Sequence, residues 1–408
     1  MSRRRFLNLA AFGIAGVLYG CNMSSKKNIR SFGKTFAYLQ DPALRTKETG
    51  DALLVVENAE FSGTRFDDVT WRNVTFRHCN FVGAYEIKPE SIERALFEDC
   101  KFAGIFNLGT LKQVQFVRCL IEGTSHVVGD VGSIDVVFDS CEMMGKDPEP
   151  NHWGSFGAYG EVAFVNCKAK QTNLTGETKH VIRDCIFEDI HCGISKDGGG
   201  SIVLIENSKL KGLFRLAPAS LQSLTIRDTV IDNLDLSKAN VKGDILMERV
   251  KGGYINAYVK QAKSLTVRDS QIYGNGKKVF EAFAGGIQTI EISNVTFGGD
   301  PLTEPVTIAG GTGMDLNNVR ARVNNSIVIR NSRIPLLSTH HIHTSLFLLQ
   351  ACSVDSLNAS SSLMDKLEVS GNTFARTVDF THTQARQSKV QALAKGQAKL
   401  DGSNVKVG

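Results

Sequence analysis

The chain has 408 residues, of which 42% are hydrophobic and 22% charged, the composition of an ordinary water-soluble protein. Eight prolines stand against 38 glycines, so the chain contains many tight turns and few rigid ones. The formal net charge is +5, and it falls to +2 if Arg3, Arg4 and Arg5 are removed with an export signal. A balance this weak argues for neither nucleic acid nor an anionic membrane as a partner, and no nucleic-acid partner is predicted.

The first 21 residues combine an arginine cluster, an apolar run from Phe6 to Tyr19 and a cysteine. The run is shorter than the roughly 20 residues that span a bilayer and suits an export signal. The start resembles the twin-arginine export motif, with Arg3, Arg4, Arg5, Phe6 and Leu7 as its matching residues. The stretch Leu18–Cys21 resembles a lipobox, which implies cleavage before Cys21 and attachment of lipid to it.

Two alternatives to a lipoprotein stay open, a retained membrane anchor helix and a cleaved protein without lipid. The lipoprotein reading implies an exported, membrane-anchored protein that faces the periplasm or the cell surface. Asn22 follows the cysteine where an aspartate would imply retention at the inner membrane, so the outer membrane is favoured.

An aromatic side chain returns at every fifth position between residues 59 and 83. These aromatics are Phe61, Phe66, Trp71, Phe76 and Phe81. A small or β-branched residue lies two positions before each, at Ala59, Thr64, Val69, Val74 and Cys79. A spacing of two describes one face of a short strand, and the following skip of three describes a corner. Four such strands and corners make a square turn of about 20 residues.

The repeat continues along the chain as one inward position that recurs directly after each later strand. We call this position the slot. The slot residues are Cys79, Cys100, Cys119, Cys141, Cys167, Cys185, Ser208, Thr229, Val250, Ser270, Val295, Ser332, Cys352 and Asn372. Strict fives return at Ile226, Ile231, Leu236, Val241 and Leu246. This pattern resembles the pentapeptide-repeat family, which implies an all-β, right-handed parallel β-helix of quadrilateral section. The mean spacing slightly exceeds 20 residues, so the three-sided β-helix of pectate-lyase-like proteins remains the alternative.

The repeat sets the predicted boundaries. Residues 1–21 form the export signal with its lipobox, 22–52 a linker and N-terminal cap, 53–380 the β-helix, and 381–408 a C-terminal helical cap or tail. A stacked array needs such caps because its end turns leave open edges. Val390, Leu393, Ala394 and Leu400 fall near one helical face of the last segment.

The slot cysteines are predicted to be core thiols rather than disulfides. Parallel Cβ atoms one turn apart are separated by about 4.8 Å, which exceeds the separation that a disulfide prefers. No CxxC spacing indicates zinc, so neither a metal nor a cofactor is predicted.

Acids before the slot, such as Asp99, Asp184 and Asp228, are interpreted as corner residues, because Asp and Asn favour turns. Outward arginines precede several of them, including Arg183 and Arg227. Acids and arginine on one face are also what a β-helical polysaccharide lyase or hydrolase uses. That activity is therefore the alternative function, although no catalytic residue is assigned.

Two stretches are candidate binding residues. The segment between Cys141 and Cys167 is the longest of the early steps and contains His152, Trp153, Phe156 and Tyr159. It is either an exposed contact loop or a loop folded back onto the rod. The second stretch, "THHIHT", predicts Ile342 and Thr344 inward with His340, His341 and His343 outward.

Together these features predict an envelope-anchored lipoprotein that acts as a non-enzymatic binding or scaffold surface. Its partner is expected to be an envelope protein or a glycan.

Overall fold

The computed structural model describes residues 34–61, 66, 68–81, 89–103, 107–123, 126–130, 132–145, 156–175, 179–192, 201–216, 220–298, 305–309 and 324–408. Within these ranges the chain is all-β, and its strands stack in parallel as a β-solenoid. The expectation of a right-handed winding stays a prediction.

The strands, numbered β1 to β39 along the chain, form two parallel sheets. The first sheet has 17 strands. They are β1 (Leu54–Glu57), β3 (Thr70–Arg77), β5 (Ser91–Glu98), β8 (Thr110–Val117), β11 (Ile134–Asp139), β14 (Val162–Val165), β16 (Lys179–Arg183), β18 (Ser201–Glu206), β20 (Ser220–Arg227), β22 (Asn240–Val241), β23 (Asp244–Glu248), β25 (Ala262–Arg268), β28 (Ile287–Ser293), β31 (Asn324–Arg330), β33 (His343–Gln350), β35 (Leu363–Ser370) and β38 (Gln384–Val390).

The second sheet has 22 shorter strands. They are β2 (Glu60–Phe61), β4 (Asn80–Phe81), β6 (Lys101–Ala103), β7 (Asn107–Leu108), β9 (Leu120–Gly123), β10 (His126–Val128), β12 (Glu142–Gly145), β13 (Phe156–Tyr159), β15 (Lys168–Thr175), β17 (Ile186–Cys192), β19 (Lys209–Arg215), β21 (Val230–Asp235), β24 (Lys251–Ala257), β26 (Gln271–Ile272), β27 (Phe280–Phe283), β29 (Thr296–Phe297), β30 (Val306–Ala309), β32 (Arg333–Ser338), β34 (Ser353–Asn358), β36 (Thr373–Phe374), β37 (Val378–Asp379) and β39 (Ala398–Lys399). A 3₁₀ turn at Ala284–Gly286 follows β27.

The five-residue period marks successive walls of one turn. All five aromatics of the first repeat are at most 4% exposed. Each ring touches the next, with the centroids of Phe61 and Phe66 5.8 Å apart and those of Phe66 and Trp71 5.1 Å apart. The corners keep the same step, because Asp68, Asn73 and His78 have φ angles of 58°, 49° and 50°. Between residues 68 and 78 this first turn therefore bends at every fifth residue.

Along the rod, equivalent side chains stack directly on one another. Phe76, Phe97 and Phe116 form a column with ring centroids 4.9 and 4.8 Å apart and nearly parallel planes. Phe138 and Phe164 continue it at 4.6 and 5.1 Å. Burying each such ring contributes on the order of 2–3 kcal/mol, so the hydrophobic core is a set of columns rather than one globule.

The slot residues form an inward column as predicted, each at most 7% exposed. All seven cysteines that the structure describes in this column are free and buried. The Cys119 thiol donates to the carbonyl of Phe97 in the preceding turn at 3.4 Å. Its own amide donates to Sγ of Cys141 in the following turn at 3.4 Å. A thiol or a hydroxyl at the slot thus satisfies backbone groups of its neighbours, as when the Cys185 amide donates to Ser208 Oγ at 3.1 Å. Val250 and Val295 fill the same position by packing alone.

The residue before the slot is the corner, as expected. Asp99, Asp184 and Asp228 have φ angles of 53°, 55° and 49°, a left-handed conformation that Asp and Asn tolerate. Asn73 has the same left-handed conformation at the preceding corner, inside β3.

One inward assignment was wrong by a single residue. Ile226 pairs with Met247, which is fully buried, whereas Leu246 lies half-buried on the outer face. The cause is one extra residue between β22 and β23, which a strict count of fives cannot detect.

Two short helices cover the first turn, α1 (Thr35–Gln40) and α2 (Pro42–Thr49). The Leu39 carbonyl of α1 accepts a hydrogen bond from Trp71 Nε1 at 3.1 Å. From α2 the buried Arg45 guanidinium donates to the carbonyls of Arg72 and Asn73 at 2.5 and 2.9 Å. These helices therefore form a cap that provides hydrogen-bond donors to backbone carbonyls at the open edge of β3.

The prediction of a C-terminal helix was wrong. Residues 384–390 form β38, which pairs with β35. Amide side chains close the last turn by imitating a neighbouring strand. Asn404 accepts from the Ala385 amide at 2.7 Å and donates to its carbonyl at 3.1 Å, and Gln391 does the same for Asn372 at 2.8 and 2.6 Å. Of the apolar residues with helical spacing, Val390 is buried, whereas Ala394 and Leu400 are exposed.

Candidate functional site

The outward charges next to the slot corner form a ladder of ion pairs. Arg77 lies between Glu57 and Glu98, with N–O distances of 3.4 and 2.9 Å. Farther along, Glu248 is only 8% exposed and meets Arg227 and Arg268 at 3.1 and 2.6 Å. Opposite charges in successive turns therefore neutralise one another in register.

This pairing holds the acids in their ionised form. The Arg118 guanidinium hydrogen-bonds Glu98 and Asp99 and lowers the pKa of both carboxyls below their ordinary values. Arg249 likewise lowers the pKa of Asp228. A glycosidase needs one carboxyl whose pKa is raised, so these acids are poor candidates for a general acid.

The loop candidates are only partly described. His152 and Trp153 lie outside the described residues, and for Phe156 the structure gives the backbone alone, as the start of β13. Tyr159, the last residue of β13, is half-buried. The choice between a contact loop and a packed loop therefore stays a prediction.

The histidine cluster has the predicted orientation. Ile342 and Thr344 are fully buried, whereas His340, His341 and His343 are half-buried on the outer surface. Ser338 Oγ and His340 Nδ1 lie 2.8 Å apart, and burial followed by the charge of His341 lowers the pKa of His340. No group of three or more His, Cys, Asp or Glu residues in the described ranges could hold a metal ion.

The structure shows that Tyr159 and His340 share one edge with two residues that the sequence did not single out. Tyr159, Tyr258 and Phe283 each follow directly on a fully buried residue at the end of a second-sheet strand. His340 follows the fully buried Thr339, which lies one residue beyond β32. We call these four side chains the aromatic edge. Tyr258 and Phe283 belong to adjacent turns and stack with ring centroids 4.8 Å apart and an interplanar angle of 19°.

Polar groups surround the Tyr258–Phe283 pair. Tyr254 Oη donates to Glu281, and Lys278 Nζ lies 2.9 Å from the same carboxylate. Asn256 accepts from the Tyr258 amide at 3.1 Å and donates to Asp235 at 3.3 Å. Burial, followed by the charge of Glu281, raises the pKa of Tyr258, so its hydroxyl is neutral and available as a donor. Half-exposed stacked aromatic rings with amide and carboxylate groups beside them are typical of surfaces that bind proteins and sugars.

Alignment by turn would have revealed this edge. Ala257 and Ala282 pair in register, and an aromatic follows each. The two aromatic residues lie one above the other in adjacent turns, so their relation does not show in the linear sequence.

Comparison of the chain with protein-family models, with curated proteins and with solved structures gives no match. No helix among the described residues is long and apolar enough to cross a membrane.

His180 is an unexpected polar residue in the interior. It lies in β16 in an otherwise apolar column between Val162 and Val203, and it is fully buried. Neither ring nitrogen has a hydrogen-bond partner in the described part of the chain. Burial therefore lowers the pKa of His180 from 6.5 to about 4, because the charged form cannot be solvated there.

His180 should make stability depend on pH. The fold accepts only the neutral imidazole, so the free energy of unfolding is unaffected above about pH 6.5 and falls as the pH approaches 4. Between pH 7 and pH 5 the expected loss from this group is about 2 kcal/mol. The His180→Val variant should lose this component in urea unfolding at the two pH values. The matched variant His382→Gln, which changes an exposed histidine, should retain it, and an unchanged pH dependence in His180→Val would refute the assignment.

Proposed function

We propose that this protein is an exported, lipid-anchored member of the pentapeptide-repeat type, with a right-handed quadrilateral winding, that acts as a non-enzymatic binding or scaffold surface in the cell envelope. The five-residue steps between corners in the first turn support the quadrilateral form. The partner is an envelope protein or a glycan, and the aromatic edge is the surface that meets it.

The stacked pair Tyr258–Phe283 carries the proposal. Its rings are half-buried on the outside of the rod, where stacking on each other leaves part of both accessible. The hydrophobic core of the solenoid is complete without them, since the adjoining Ala257 and Ala282 already fill the inward positions. Aromatic side chains of this kind dominate the energetics of contact surfaces.

A polysaccharide lyase or hydrolase remains the second candidate, because Tyr254, Glu281 and Lys278 bring a hydroxyl, a carboxylate and an ammonium together. The Glu281 carboxylate is already engaged by the Tyr254 hydroxyl and the Lys278 ammonium, which argues for positioning of the aromatic edge rather than for proton transfer. Turnover of an acidic polysaccharide by the purified chain would favour the enzyme.

A photo-reactive phenylalanine analogue at position 258 should test the contact surface. In intact cells it is expected to crosslink to one recurring partner, identified by mass spectrometry, because the edge faces outward. The control places the same analogue at Tyr273, which is 56% exposed on a different corner of the turn. Equal adducts from both positions, or none from position 258, would show that the aromatic edge is not the contact surface.

The lipid anchor has its own test. Cys21→Ala removes the proposed acyl acceptor and should move the protein from the membrane to the soluble fraction, since the acyl chains supply the membrane affinity. Cys352→Ala, a buried slot residue, is the matched control and should leave fractionation unchanged. A membrane-bound Cys21→Ala protein would contradict lipidation at this site.

A further inference from the structure

The weak overall charge conceals a strong asymmetry along the rod. Residues 34–323 contain 32 Lys and Arg against 37 Asp and Glu, a formal charge of −5. Residues 324–408 contain nine against five, a formal charge of +4. Within the second group, all of the excess lies in residues 376–408, which hold six basic and two acidic side chains.

These cations belong to the last described turn of the solenoid. Exposed basic side chains project from β38, from β39 and from the segments around them. They are Arg386, Lys389, Lys395, Lys399 and Lys406, which we call the cationic end. The backbone that carries them is fixed by the amide caps of Gln391 and Asn404. The charges therefore sit on an ordered surface.

In the described structure most members of the cationic end lack ion pairs of the kind that Arg77 and Arg118 make. Among its five members the structure describes an ion pair only for Arg386, at 3.3 Å from Asp365. The bridge between Val390 and Val407 places Lys389 beside Lys406 on adjacent strands. The acid next in register, Glu368, is engaged by Lys366 at 3.1 Å. Like charges directly opposite are unfavourable, so this pair lowers stability unless an anion lies against it.

The composition of this end indicates what kind of anion fits. Four of its five cations are lysines, which act as point charges and lack the planar fork that arginine uses for bidentate recognition. No Phe, Tyr or Trp occurs in residues 381–408 on which a sugar could stack. An aliphatic side chain, Leu400, is 37% exposed next to Lys399. Clustered lysines with an exposed leucine suit a charged lipid surface, where headgroups meet the ammonium groups and the leucine enters the interface.

We propose that the cationic end of the rod docks onto a bilayer that contains anionic phospholipid. The proposal does not depend on the partner of the aromatic edge. Since the first turn lies at the opposite end of the stack, docking by the last turn would fix both ends of an anchored rod.

Vesicle co-sedimentation of the full chain tests the docking. Every protein carries Cys21→Ala, so that no acyl chain is present, and the vesicles contain phosphatidylcholine alone or mixed with phosphatidylglycerol. The variant Lys389→Glu/Lys406→Glu should bind the phosphatidylglycerol vesicles at least about tenfold more weakly than the parent. Binding of the parent should also weaken as salt is added, because the attraction is screened.

The matched control is Lys209→Glu/Lys251→Glu, which changes the net charge equally at two exposed lysines on the flank of the rod. It should bind as the parent does. Equal losses in both double variants would show a response to net charge alone and overturn the proposal. So would retention on an immobilised acidic polysaccharide without preference for phosphatidylglycerol vesicles. If Lys389→Glu/Lys406→Glu melts early, Lys395→Gln/Lys399→Gln should show the same selective loss, and its absence would equally overturn the assignment.

Discussion

Each turn of this solenoid is completed by the turns beside it, and the slot column shows how. An inward thiol or hydroxyl donates a hydrogen bond to a backbone carbonyl of its own turn or of the preceding turn. The same side chain accepts a hydrogen bond from a backbone amide of the preceding turn. Cys141 does both, as acceptor for the Cys119 amide and donor to the Phe116 carbonyl at 3.3 Å. A buried corner would otherwise leave these backbone groups unsatisfied, at a cost of about 1–3 kcal/mol each. Any of Cys, Ser and Thr therefore suits this position. A shift that turned the column outward would leave the backbone groups unsatisfied.

The same constraint explains why cysteines survive here without pairing. Burial raises the pKa of the Cys119 and Cys352 thiols above the ordinary value, so little thiolate forms at these two positions. Their hydrogen bonds to carbonyls fix the Sγ atoms on the wall of the turn. The cysteines therefore serve as buried packing groups, whereas the aromatic edge and the cationic end lie outside this column.

The sequence predicted whatever repeats within one turn or occupies one fixed slot. Phe76 and Cys100 could be assigned inward because their neighbours at fixed spacing share their chemistry. Tyr258 and Phe283 could not be found in this way, because their relation is vertical and spans 25 residues of chain. The prediction of a C-terminal helix was wrong for another reason. Val390 and Leu393 have helical spacing, but the open edge of β35 offers a ladder of hydrogen bonds that outweighs local propensity. His180 follows from no pattern at all, since it replaces an aliphatic residue in the column.

The central claim, that slot residues of successive turns form one buried column, is tested most directly by alkylation of thiols in the folded chain. Peptide mass spectrometry after brief exposure to N-ethylmaleimide should find Cys79, Cys100, Cys119, Cys141, Cys167, Cys185 and Cys352 unmodified in buffer, and all seven modified together above the unfolding midpoint in urea. Rapid modification of any interior member, Cys119 or Cys141 above all, under native conditions would contradict the column.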